Sequence, residues 1–124
     1  MSQEKNQGKL MLLVPVGGRP MTVAVRDVCE TLRCTMIESA FDEAWDEGIS
    51  ITVFLNDEGK VDGSMPNRLI QRAAGKLIDV IFGDCLIAAV DLETGDTVDL
   101  PDEAVRFYRQ KYGKANVDWE RRPR

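Results

Sequence analysis

Between residues 49 and 55 the sequence ISITVFL alternates without a slip. Ile49, Ile51, Val53 and Leu55 fall on one side and Ser50, Thr52 and Phe54 on the other, a period of two that reads as a strand with unlike faces. An isolated strand or hairpin is barely stable in water, so this segment obliges the chain to build a sheet with something packed on its aliphatic side. The run CLIAAV (85–90) adds a second demand. A strand with no polar side belongs in the middle of a sheet, covered on both faces.

The remaining elements follow from the same kind of reading. LMLLVPV (10–16) predicts a strand that ends near Pro15, which cannot donate to a ladder. GGRP then turns the chain, and MTVAV begins a further strand or leads into the next helix. Over 25–33, VRDVCETLR sets Val25, Val28, Cys29 and Leu32 on one helical face, with Arg26, Asp27, Glu30 and Arg33 on the other. TMIESAF (35–41) reads as a strand, DEAWDEG (42–48) as an acidic loop, and NDEGK (56–60) as a hairpin turn in which Gly59 takes positive φ.

After that turn, Ser64 is a reasonable N-cap and Pro66 suits a first helical turn, so PNRLIQRAA predicts a short helix closed by Gly75. KLIDVIF and CLIAAVD flank Gly83-Asp84, LETGD turns again, and TVDL continues as a strand. LPDEAVRFYRQKYG carries the signals of a helix over 101–112, with Pro101 at its start, acids in the first turn and Lys111 near its end. Its inward face is Ala104, Val105, Tyr108 and Tyr112. The expected fold is therefore a single α+β domain: a mostly antiparallel sheet of four to five strands, two main helices and one short helix. The polar start (1–9) reads as a flexible leader without a signal-peptide core, residues 10–113 as the domain, and 114–124 as a basic tail, which together predict a cytoplasmic protein.

Charge and residue counts exclude more chemistry than they suggest. The net charge is −5 over 124 residues. It is unevenly spread: residues 1–99 carry 9 Lys/Arg against 17 Asp/Glu, and residues 100–124 carry 7 against 4. An acidic body argues against general nucleic-acid binding, which draws its affinity from neutralised phosphates. No apolar run approaches the ~20 residues of a membrane span. Histidine is absent, so no Ser-His or Cys-His pair can form. Three cysteines, Cys29, Cys34 and Cys85, lack the spacing of a zinc site and read as core thiols. Asp57, Glu58 and Asp62 surround Gly59 but lack the ligand spacing of a calcium loop. The expectation is a protein that is not an enzyme and needs no metal or cofactor.

Two places remain where binding could sit. One is Trp45 among Asp42, Glu43, Asp46 and Glu47, an aromatic anchor in an acidic surround. The other is Asn67-Arg68, with Arg72 one helical turn beyond. As first-turn residues of the short helix, Asn67 and Arg68 would be exposed. As a clamp, Asn67 would fix the turn after Gly63 and the Arg68 fork would reach Asp79 or Asp84; as a site, Arg68 and Arg72 would grip an anion such as a nucleotide.

The strand followed by NDEGKVDGSMPNR, by IDVIFGDCLIAAVDLETGD and by a helix with an acidic start resembles a family of small proteins of unknown function found in bacteriophages, plasmids and the bacteria that carry them. The matching features are Asn67, Arg68, Asp79, Gly83 and the 85–90 run; the resemblance spans roughly 10–112 and leaves out the tail, and AWDEG stands apart from it. It implies a non-enzymatic interaction protein of a mobile element that binds and inhibits a host defence factor in the host cytoplasm. The alternative is a protein that binds or sequesters a small anionic ligand. A homo-oligomer is compatible with either.

Overall fold

The computed structural model describes residues 8–58, 66–71 and 77–113, with side chains described throughout except at 40–42, 66, 68–71 and 77–80. In chain order the elements are β1 (Lys9–Val14), β2 (Met21–Val25), α1 (Val28–Leu32), β3 (Ile37–Asp46), β4 (Ile49–Asn56), β5 (Pro66–Gln71), β6 (Leu77–Phe82), β7 (Cys85–Asp91), β8 (Thr97–Val98) and α2 (Asp102–Lys111). The main sheet runs β2-β1-β7-β4-β3, with β8 also on β7, and every pairing in it is antiparallel. β5 and β6 form a separate antiparallel hairpin.

The two segments that set the constraint behave as their patterns require. β7 is central, paired with β4 along one edge and with β1 and then β8 along the other. Its Cys85, Ile87 and Ala89 pack into the larger core with Ile51, Val53 and Leu55 of β4. α2 covers this face, contributing Ala104, Val105, Tyr108 and Tyr112. Leu86 and Ala88 point the other way and join Met11 and Val25 in a second, smaller core, against which Val28 and Leu32 of α1 pack. Burying an aliphatic side chain of this size contributes about 1.5–3 kcal/mol. A polar replacement at Ile87 or Leu86, both 0% exposed, is therefore costly on either face.

Several expectations give way. The main sheet has six strands rather than four or five, and the hairpin adds two more. Residues 42–46 are not loop: β3 continues through them, absorbing two register shifts, and the turn is Glu47-Gly48, with Gly48 at φ 89°. The helix expected over 25–33 shrinks to Val28–Leu32, because Val25 completes β2 against Lys9 and Asp27 caps the helix by accepting from Glu30 N. The short helix expected from Pro66 is strand β5, since residues 77–82 supply a ladder partner that local capping signals do not register. Ser64, Gly59, Gly75 and Arg72 lie outside the described residues.

Among the described residues, no helix is long and apolar enough to cross a membrane.

Candidate functional site

Among the described residues, Asn67 is the least exposed of the buried polar side chains Ser50, Thr52 and Asn67. It is 1% exposed, and its Nδ2 donates to Val14 O at 2.8 Å and to Gly83 O at 2.9 Å. One amide thus ties β5 to the end of β1 and to the turn between β6 and β7. Gly83 sits at φ 84°, so this turn uses a backbone conformation that favours glycine. Beside it, Asp84 Oδ1 accepts from Val16 N at 2.9 Å, a second fastening between the same turn and the chain leaving β1.

The expectation of an exposed Asn67 is therefore overturned: a buried amide in a strand satisfies carbonyls that the sheet leaves open. Asn67 itself fastens β5 to the sheet, a contact distinct from the Arg68 clamp expected. The side chains of Arg68 and Asp79, and Arg72 altogether, lie outside what is described, and Asp84 is engaged by a backbone amide.

Trp45 also sits differently from the expectation. It lies on β3, half-buried and packed against the larger core, rather than at the tip of a loop. Its ring centroid is 5.8 Å from Phe107 and 6.0 Å from Tyr108. Phe107 and Tyr108 meet edge to face at 4.9 Å and 89°, and Tyr108 stacks towards Tyr112 at 6.2 Å. Such pairs hold rings in fixed mutual geometry. Tyr108 is 0% exposed, but Phe107 keeps 48% of its surface in solvent. The result is an aromatic ridge between strand and helix, with Phe107 as its exposed crest. Asp46 and Glu47 are exposed beside Trp45, and Glu103 is exposed one turn before Phe107.

The ridge is anchored below by a partly buried polar contact. Tyr108 donates its hydroxyl proton to Glu43 Oε2 at 2.8 Å. Burial, then this hydrogen bond and the carboxylate charge, hold the Tyr108 hydroxyl well above the ordinary tyrosine range. Burial likewise pushes Tyr112 up to about 12, with smaller contributions from Cys85 and Glu43. The Lys111 ammonium stands 5.7–5.9 Å from the rings of Phe107, Tyr108 and Tyr112, within cation–π range.

Sequence reasoning missed Phe107 and the Glu43–Tyr108 contact. Phe107 borders the inward helical face without belonging to it. Its signal was there to read: a large aromatic at the flank of an amphipathic helix.

On the opposite face of the sheet, α1 packs over β4 and β7, in the cluster that also takes in Phe54. Ser39, Ser50, Thr52, Phe54, Val90 and Leu92 line an open groove of about 360 Å³ there. Ser39 and Thr52 share a hydroxyl–hydroxyl hydrogen bond, and Ser50 Oγ donates to Glu43 O at 3.4 Å. No lysine or arginine is among these lining residues, so the groove presents hydroxyl and apolar groups but no positive charge. Cys85 is buried, while Cys29 and Cys34 are half-buried, and none of the three forms a disulfide. Among the described residues, no three His, Cys, Asp or Glu side chains gather as a metal site would require.

Residues 9–113 match the family described as "Domain of unknown function (DUF3846)", and the chain belongs to that family. No curated protein and no solved structure matches it.

Proposed function

We propose that this member of the DUF3846 family is a non-enzymatic interaction protein of a phage or other mobile element, which docks on a host protein, a defence factor, in the host cytoplasm. The observation that supports this reading is the Trp45–Phe107 ridge. Phe107 is half-exposed yet held between two rings on a helix and a strand. An aromatic side chain already fixed in place loses little entropy on binding, which is the character of an interface anchor. The exposed carboxylates of Asp46, Glu47 and Glu103 define the partner's chemistry: an apolar pocket with a basic rim. The net charge of −5 favours its approach.

The second reading, a small-ligand binder, keeps one specific support, the groove over Ser50 and Thr52. Its uncharged lining fits a neutral ligand better than the nucleotide-like anion expected from Arg68 and Arg72.

Affinity capture of the partner with the wild-type chain, followed by titration with variants, separates the readings. Phe107→Ala should weaken binding by about tenfold, equivalent to about 1.4 kcal/mol. Asp46→Lys with Glu47→Lys should slow association and reduce its salt dependence. Leu92→Ala, on the groove side, should leave both unchanged. Full affinity in the Phe107 and Asp46/Glu47 variants refutes the ridge as the docking surface. A stoichiometric small molecule found on the purified protein by native mass spectrometry, and lost in Leu92→Ala, favours the second reading.

A further inference from the structure

Among the described residues, the path β2-β1-β7-β4-β3 ends in two edge strands, β2 and β3, with the two-residue β8 off it, and the sequence treats those two ends differently. β3 carries Glu38, Glu43 and Asp46 and breaks register twice against β4. Charge and bulging both discourage an incoming strand. β2, at the other end, is MTVAV: no charge, no proline, and five regular pairs with β1. Among the described residues it pairs with β1 alone. Met21, on this edge, is apolar and 49% exposed.

We infer that β2 pairs with β2 of a second copy of this chain, antiparallel and centred on Val23, so that the sheet continues across a two-fold axis. Alternate residues of an edge strand turn their N–H and C=O groups outward, and two identical strands bond only where outward residues meet. The axis therefore passes through a residue and not between two. A centre at Ala24 sets Met21 opposite Asp27, and a centre at Thr22 sets Arg19 opposite Val25; each faces an apolar side chain with a charge. A centre at Val23 sets Met21 opposite Val25, Thr22 opposite Ala24, and Arg19 opposite Asp27. This register also sets Pro20 opposite Arg26 just outside the strand, but it alone pairs all five strand residues with one another and sets Arg19 opposite Asp27 at each end, pairings that stabilise neighbouring strands.

The packing agrees with that register. Met21 and Val25 pair with Leu13 and Lys9 of β1, two and two residues from the Met11–Val23 pair, so Met21, Val23 and Val25 share one sheet face. Val25 is 3% exposed and Val23 half-buried. Across the axis, the exposed Met21 side chain of each copy gains the Val25 position of the other as its neighbour. Five residues per strand make a contact smaller than the about 1,200–2,000 Å² of a standard interface, so the dimer is concentration-dependent.

Sedimentation velocity on the full chain, from about 5 to 500 µM, should show a reversible monomer–dimer equilibrium of the strength such a small contact allows. Thr22→Lys with Ala24→Lys, both at exposed positions, puts like charges opposite each other twice and should leave the protein monomeric with an unchanged circular dichroism spectrum. Val23→Cys should give a disulfide-linked dimer under mild oxidation, while Met21→Cys and the wild type, which carries the native thiols alone, should not. A monomer at every concentration overturns the inference. So does a dimer that survives the paired lysine variant, or cross-linking that is stronger through Met21→Cys than through Val23→Cys.

Discussion

Replacing Asn67 by alanine asks whether this residue is frame or contact. Its amide makes two hydrogen bonds, of 2.8 and 2.9 Å, from a side chain that is 1% exposed. A neutral hydrogen bond contributes about 0.5–1.5 kcal/mol net, so the pair contributes about 1–3 kcal/mol. Alanine also leaves the Val14 and Gly83 carbonyls short of a donor, adding about 1 kcal/mol of unreturned desolvation. The expected loss is about 2–4 kcal/mol, large for a point substitution but typical of a broken buried polar contact. For a chain of this size, the middle of that range lowers Tm on the order of 10 °C.

Asn67→Asp sharpens the test because it keeps the shape and removes both donors. At neutral pH it sets a carboxylate against two carbonyl oxygens, so its loss should exceed that of alanine. The folded state then favours the protonated acid, raising its pKa above the unfolded value of about 3.9. The native state holds the proton that the unfolded chain has given up, so the deficit grows as pH rises from about 4 and shrinks as pH falls. The alanine variant should show no such trend. Urea unfolding of the three proteins between about pH 4 and 7 reads both quantities, with midpoints compared at constant m. An alanine variant within about 0.5 kcal/mol of wild type refutes the Asn67 fastening. If that variant also loses its partner, Asn67 is a contact residue instead.

Two further outcomes follow from the core. Both tyrosines of the chain are buried, with hydroxyls shifted upward, Tyr112 to about 12. Above the ordinary value of about 10, the unfolded chain releases these protons while the folded one keeps them, so stability falls as pH rises from about 10 towards 12. Tyrosinate absorbance near 295 nm should then rise together with loss of far-UV dichroism, and a tyrosine that titrates near pH 10 in the folded protein contradicts the described burial. Among the thiols, Cys85→Ser should cost about 1–3 kcal/mol, since Cys85 packs with Val14, Val53, Ile87 and Tyr112, whereas the half-buried Cys29 and Cys34 should cost less. Binding should survive triple replacement wherever the protein remains folded, and an equal cost at all three positions contradicts the placement.

What was legible in the sequence were the residues whose role depends on their neighbours in the chain. The alternation of 49–55, the unbroken 85–90 run and the inward face of α2 each fix a local geometry, and the sheet and helix follow from them. Asn67 was not legible, because its acceptors lie 53 and 16 residues away. Proline followed by polar residues suits a helix start as well as an edge strand, and only residues 77–82 decide between them. Trp45 failed for a related reason. Four acids in the 42–47 stretch suggest solvent, yet only alternate residues of a strand meet water, and Glu43 and Trp45 take the sheet face that carries Tyr108.

The positions that carry the family resemblance and are described here have a structural reason to be what they are. Asn67 bonds across the junction, Gly83 supplies its left-handed turn, and residues 85–90 form the centre of the sheet. Residues with such roles are retained by a fold whatever it binds, so a match over 9–113 transmits the frame and leaves the partner open. Trp45 and the AWDEG segment stand outside those motifs. The crest that Trp45 forms with Phe107 is positioned by the same frame, through Glu43 and Tyr108. Family membership therefore identifies the scaffold, and the proposed docking on the ridge is decided by the Phe107 and Asp46/Glu47 variants.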